Sequence, residues 1–301
     1  MTIAAFAHNG RLALIAPASP VSDNVLRTTL AAFDQLGLDY QLGRQVGARH
    51  RYLAGNVEQR LEDLYAAFAD PEVSAVWCLR GGYGCGQLLP HIDWQRLKRA
   101  SVRPLIGFSD ISLLLSAFHR QGLPAIHGPQ AGALGQLASA PASEHSDRLA
   151  SLASLQALLQ QQPGSFALQQ VAGPSQPVEG QLIGGNLTAL ASGCGWQGSL
   201  YVPDKAILLL EDVGEKYYRL ERSFQQLWFS LEPARIQAVC LGHFTDCPRD
   251  NVSQSLEEIV AEYLEPLGIP LYNGLPVGHG SENHAWPYGR MARLANQRLE
   301  W

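Results

Sequence analysis

Little in this chain suggests a metal, a membrane or a nucleic acid. Cysteine is scarce, five among 301 residues (Cys78, Cys85, Cys194, Cys240, Cys247); the odd number and the lack of a CxxC pair support neither a disulfide framework nor a zinc site. Long apolar runs are missing, and no stretch approaches a membrane span. The N-terminus has no basic segment followed by an apolar core: its first cation is Arg11, and the run Leu12 to Ala16 is cut by Pro17. No export signal is therefore expected, and a soluble cytoplasmic protein is. Charged residues amount to 16% and the net charge is −5, which disfavours nucleic acid and anionic membrane as partners. Neither a Walker pattern with its lysine nor a GxGxxG entering a helix occurs, so a phosphate-binding role is disfavoured too.

What is present is the material of a large globular protein. Hydrophobic residues make up 46%, and the length favours two domains or one large α/β domain. Leu12 to Ala16 reads as a buried strand, followed by a helix capped by Ser22-Asp23 and ended by Gly37. Leu38 to Leu42 is a second strand, Asn56 caps a second helix, and Ser74 to Leu79 is a third strand running into Arg80-Gly81-Gly82-Tyr83-Gly84. Strand and helix in alternation predict a parallel sheet covered on both faces, with ligands at the C-terminal ends of the strands. Residues 137–180, rich in Ala, Ser, Gln and Pro around one helix near 147–160, read as a linker between a domain spanning 1–136 and another spanning 181–301. The second half mixes short strands and helices, as expected of a smaller α+β domain.

The stretch Arg103 to His119 stands out. An apolar strand-length run meets Ser109-Asp110, and a helix-length pattern follows with no turn residues between. A hydroxyl on such a turn stands clear of both elements, with the free N–H groups of a helix start beside it, which suits a nucleophile for acyl transfer. The same residues also fit a plain helix N-cap. The glycines of the Arg80 to Gly84 loop can bring backbone N–H groups close to a ligand, as an oxyanion hole or carboxylate nest, or can simply make a flexible turn. Further on, Glu211 ends an apolar strand and His279 lies in a glycine-rich loop. The order Ser, Glu, His suits a serine activated by a base that a carboxylate orients. Order alone is weak, since His127 and His243 also follow apparent strands.

The segments LALIAPASP, RYLAG, CLRGGYG with a following IDW, IGFSDIS, HGP, IGGNL, LLLEDVGEKYYRLERSF and GLPVGHG, in order across nearly the whole chain, resemble the LD-carboxypeptidases of serine peptidase family S66. The resemblance implies a cofactor-free, cytoplasmic, homodimeric serine peptidase that removes the terminal D-alanine from murein tetrapeptides in cell-wall recycling. It implies an N-terminal parallel-sheet domain of the class I glutamine-amidotransferase or flavodoxin-like kind. Carried over by motif, the nucleophile is Ser109, the acid Glu211 and the base His279, with an oxyanion hole at the backbone N–H groups of Asp110 and of Gly81 or Gly82. Ile111, two residues after Ser109, departs from the GxSxG of α/β-hydrolases; the turn is similar to the one that carries cysteine in amidotransferase-like domains. Cys85 is a rival thiol without a histidine near it in sequence.

A branch of the same family cleaves peptidyl or aminoacyl adenylates as immunity proteins, using a tryptophan in the joining segment; residues 137–180 contain none. A non-catalytic binding protein is a third option, made unlikely by the intact Ser, Glu and His. No metal site is expected. Recognition of the substrate carboxylate is not readable from the sequence: Arg80, Arg219 and Arg222 are unranked candidates.

Overall fold

The structure, a computed structural model, describes residues 8, 10–100, 103–137, 140–249 and 251–301. Most of the N-terminal stretch searched for an export signal, and two residues at the start of the expected linker, lie outside these. The first half runs β1 (Arg11–Ile15), α1 (Asp23–Leu36), β2 (Tyr40–Leu42), α2 (Val57–Ala69), β3 (Val73–Cys78), α3 (Cys85–Leu88), α4 (Trp94–Arg99), β4 (Leu105–Gly107), α5 (Ser112–Arg120), β5 (Ala125–His127) and α6 (Gly132–Leu137). Local chemistry fixes the ends: Ser22 accepts from the Val25 N–H, Gly37 closes α1 at φ 63°, and Asn56 and Gln59 cap α2 reciprocally. Strands β2, β1, β3, β4 and β5 are parallel neighbours in that order. The order reverses between β1 and β3, which places a ligand-binding crevice at their C-terminal ends.

The chain continues through α7 (Ala142–Leu159), β6 (Ser165–Ala167), β7 (Gln169–Ala172), β8 (Val178–Asn186), α8 (Leu187–Ser192), β9 (Ala206–Val213), α9 (Tyr217–Ser230), β10 (Ile236–Thr245), α10 (Leu256–Leu264), β11 (Leu271–Asn273), β12 (Trp286–Tyr288), β13 (Met291–Ala295) and β14 (Arg298–Glu300). A second sheet has the order β6-β14-β13-β8-β9-β10-β11-β7. The stretch expected to be a linker thus carries an 18-residue helix and two strands of this sheet.

Two features tie the halves together. From Ser112 to Phe118 every residue of α5 is buried, because one face packs under the first sheet and the other against β8 and α8. A helix apolar nearly all round needs such a sandwiched place, and one continuous apolar cluster runs from Ile15 and Val76 through α5 to Leu208 and Val239. Ser112 and Ser116 within it accept the N–H groups of Asn186 and Tyr201. The second tie is β12, which pairs antiparallel with β5 and so completes the first sheet with residues from the far end of the chain.

Candidate active site

Three loops meet on one rim: Pro17 to Pro20 after β1, Arg80 to Gly84 after β3, and Ser109-Asp110 after β4. Hydrogen bonds lock them. The buried Arg60 guanidinium donates to the carbonyls of Pro17 and Gly84, 2.9 Å each, and to Gln87 Oε1 at 3.2 Å. Ser19 N–H donates to the Gly81 carbonyl, and Tyr83 N–H donates to Ser19 Oγ. Asp110 reaches across to accept the Cys85 N–H at 2.8 Å. Burial pushes this carboxyl up, with the Cys85 bond and Arg60 opposing.

Ser109 begins a 3-10 turn ahead of α5 with φ 64°, a left-handed backbone unusual for a residue with a β-carbon. The N-cap alternative fails for both residues: the turn has no side-chain cap, and Asp110 spends its carboxylate on the glycine loop. Gly81 faces Ser109 so closely that a β-carbon would stand 2.8 Å from Ser109 Cβ. Only glycine permits this approach. Among the described residues the N–H groups of Gly81, Gly82 and Asp110 make no hydrogen bond.

The acid and base come from the second sheet. Glu211 lies inside β9, which runs on past the expected end to Val213, and is fully buried; its Oε2 stands 2.7 Å from His279 Nδ1. Burial raises the Glu211 carboxyl above its ordinary range, opposed by the His279 contact. Glu211 Oε1 has no partner among the described residues. The His279 ring packs 4.8 Å from that of Phe108, next to Ser109 in the chain. No hydrogen bond joins Ser109 to His279, a looseness common before substrate binds.

The alternatives are otherwise occupied. Asp212 accepts from Asn186, Thr188 and the Val213 N–H, so it clamps the start of α8. Glu282 lies 3.4 Å from His243, outside hydrogen-bond geometry. His127 is buried against Trp286, and its pKa is lowered to about 3 by burial and by His279. Burial pushes the Cys85 thiol well up, which makes it a poor nucleophile. Among the described residues no group of three His, Cys, Asp or Glu could hold a metal, and no helix is long and apolar enough to cross a membrane.

A cavity of about 440 Å³ opens beside His279 and Phe108, and Arg80 lines it together with Arg148 of α7 and Asn283. Arg219 and Arg222 are exposed on α9, outside this cavity, and Arg219 pairs with Glu215. Arg148 and Asn283 were invisible to sequence reasoning, since neither lies in a motif. A larger cavity of about 640 Å³ at β13 and β14 contains no member of the Ser, Glu, His set.

The chain matches the LD-carboxypeptidase N-terminal domain over residues 12–128 and the LD-carboxypeptidase C-terminal domain over residues 179–294. It is 59% identical over 293 residues, 97% of its own length and 95% of the relative's, to a murein tetrapeptide carboxypeptidase of Pseudomonas aeruginosa. It is similar to the crystal structure of muramoyltetrapeptide carboxypeptidase from Oxalobacter formigenes, with TM-score 0.83 and 27% identity over 96% of this chain and 97% of that one. The microcin C7 self-immunity protein MccF, in complex with glutamyl sulfamoyl guanosine, shares the fold at TM-score 0.82 and 19% identity over 98% of this chain and 96% of that one. With both family domains matched in order across nearly all of its length, the chain belongs to the LD-carboxypeptidase family, peptidase family S66.

Proposed function

We propose that this protein is a serine-type LD-carboxypeptidase that hydrolyses the bond between the L-centre of meso-diaminopimelate and the terminal D-alanine of murein tetrapeptides, as a cofactor-free cytoplasmic homodimer. An N-terminal unit, 1–136, carries the nucleophile and a C-terminal unit, 181–301, carries acid and base. The observation that carries the reading is the 2.7 Å pair of His279 and buried Glu211 beside the strained Ser109 turn. Because Glu211 engages Nδ1, Nε2 is left to take the Ser109 proton as Oγ attacks the carbonyl carbon. The N–H groups of Asp110 and of Gly81 or Gly82 receive the developing oxyanion. Protonated His279 then gives its proton to the departing D-alanine amine, and water, deprotonated by the same nitrogen, releases the acyl group from Ser109. The absence of tryptophan from 137–180 argues against the adenylate-cleaving alternative.

The test is release of D-alanine from murein tetrapeptide by wild type and Ser109→Ala in the presence of a chelator. Wild type should remain active, and Ser109→Ala should lose at least about a thousandfold in kcat with an unchanged unfolding midpoint. Activity of the variant within about tenfold of wild type, or loss in wild type that added zinc restores, would contradict the mechanism.

A further inference from the structure

The cavity beside His279 has a sign. Among the described residues lining it are Arg80, Arg148, Gln130 and Asn283 but no Asp or Glu, in a chain whose acids outnumber its lysines and arginines, 27 to 22. Arg148 is held in place from outside: Glu144 Oε2 accepts from Nε and Nη2 at 3.2 and 2.8 Å. Its Nη1 makes no hydrogen bond among the described residues. Arg80 is oriented by one bond, Nη1 to the Pro20 carbonyl. Asn283 is only 6% exposed, and neither Oδ1 nor Nδ2 has a partner, although its main chain is fixed by Ser151 Oγ at 2.8 Å. A buried amide without a partner is uncommon and calls for an explanation.

We infer that this cavity is a carboxylate subsite of the enzyme, in which Arg148, supported by Arg80 and the Asn283 amide, receives a carboxylate of the bound peptide. The assignment rests on the proposed peptidase function. An oriented guanidinium with a free N–H suits a carboxylate because the bonds are charge-assisted and the geometry is preset. The α1 start (Ser22, Val25), α6 and α7 line the same cavity as His279, so a carboxylate held by Arg148 would lie in the cavity that also holds the base. The two residues of a murein tetrapeptide that flank the scissile bond each carry such a group, the terminal D-alanine carboxylate and the side-chain carboxylate of diaminopimelate, and the subsite next to His279 takes one of these.

Arg148→Met should lower kcat/KM on the tetrapeptide by roughly 10- to 100-fold, the range for a hydrogen bond to a charged group, with the loss in KM and Arg148→Lys intermediate. A tetrapeptide amidated at its C-terminus removes one carboxylate, and one with lysine in place of diaminopimelate removes the other. The peptide on which wild type and Arg148→Met become equal identifies the group bound. An equal loss on all three peptides, or no loss on any, overturns the subsite. Binding separates this from the peptidase reading: Ser109→Ala protein should bind the tetrapeptide more tightly than whichever of the amidated and lysine-containing peptides lacks the bound carboxylate, and Arg148→Met should abolish that preference even if the tetrapeptide proves not to be a substrate. A preference unchanged by Arg148→Met overturns the inference while leaving the peptidase reading intact.

Discussion

Ser109 and Glu211 each hold an unfavourable state that the surrounding structure compels. A left-handed backbone costs a residue with a β-carbon about 1 kcal/mol or more, and Ser109 adopts it because β4 must turn into α5 with the hydroxyl free of both. Glu211 carries a carboxyl raised by burial. An acid whose folded pKa lies above its unfolded value favours folding below the unfolded value, and that contribution is lost as pH rises through the folded one. Raising the pH therefore costs wild type stability that Glu211→Gln does not lose. The variant should gain in unfolding midpoint relative to wild type as pH is raised from 4 to 8, while activity falls roughly 10⁴-fold because His279 loses its charge partner. A midpoint difference flat across that range would show that the His279 contact cancels the burial effect. The sequence displays Ser109 through its strand-to-helix setting, but the pairing of Glu211 with His279, 68 residues apart, became readable only through family resemblance. Arg148 and Asn283 stayed hidden because an arginine on a surface helix and a loop asparagine look ordinary until the fold brings them to one cavity.

At the level of elements, the rim depends on Arg60, a cation 2% exposed that links the loops after β1 and β3. Replacing it with methionine would leave two carbonyls without their donor and the neighbouring Asp110 without a counter-charge. Arg60→Met should cost about 3 kcal/mol in denaturant unfolding and reduce kcat beyond any effect on KM, since the Gly81 and Gly82 N–H groups would lose their fixed position. Elements with local signals were legible: Ser22, Gly37 and Asn56 mark helix ends by cap chemistry, and α10 begins and ends where its apolar pattern does. The strands β6, β7, β12 and β14 were not. They are three or four residues long, and β12, reading Trp-Pro-Tyr, offers no alternation; its place beside β5 is decided by partners far away in the chain.

Over the whole molecule, the site is held more firmly than two domains on a loose linker would hold it. Helix α7 packs Leu149, Leu152 and Leu155 into the core on the outer face of the first sheet. Its Asp147, Ser151 and Ser154 hydrogen-bond Ser281 Oγ, the Asn283 N–H and the Ala285 N–H, each within 2.8 Å. The loop after His279 is thus strapped to the half that bears Ser109. In hydrogen exchange the Asn283 and Ala285 amides should be protected nearly as well as the core strands, and Ser151→Ala with Ser154→Ala should speed their exchange at least tenfold while leaving β9 amides unchanged. Fast exchange of these amides in wild type would mean instead that the two halves move freely.

The burial of α5 between the sheets bears on how a ribosome delivers the protein. When residue 137 has emerged, every strand of the first sheet except β12 is available, yet α5 still shows one apolar side to water, because β8, β9 and β10 are not yet made. At about 5–20 residues per second, roughly 5–20 s pass before Thr245 follows. The open edge of β5 waits longer, until Trp286 to Tyr288 arrive to cover it. An unpaired edge and a bare helix face are the surfaces that draw chains into aggregates, so the nascent first half is a natural client for a chaperone and a poor candidate for expression alone.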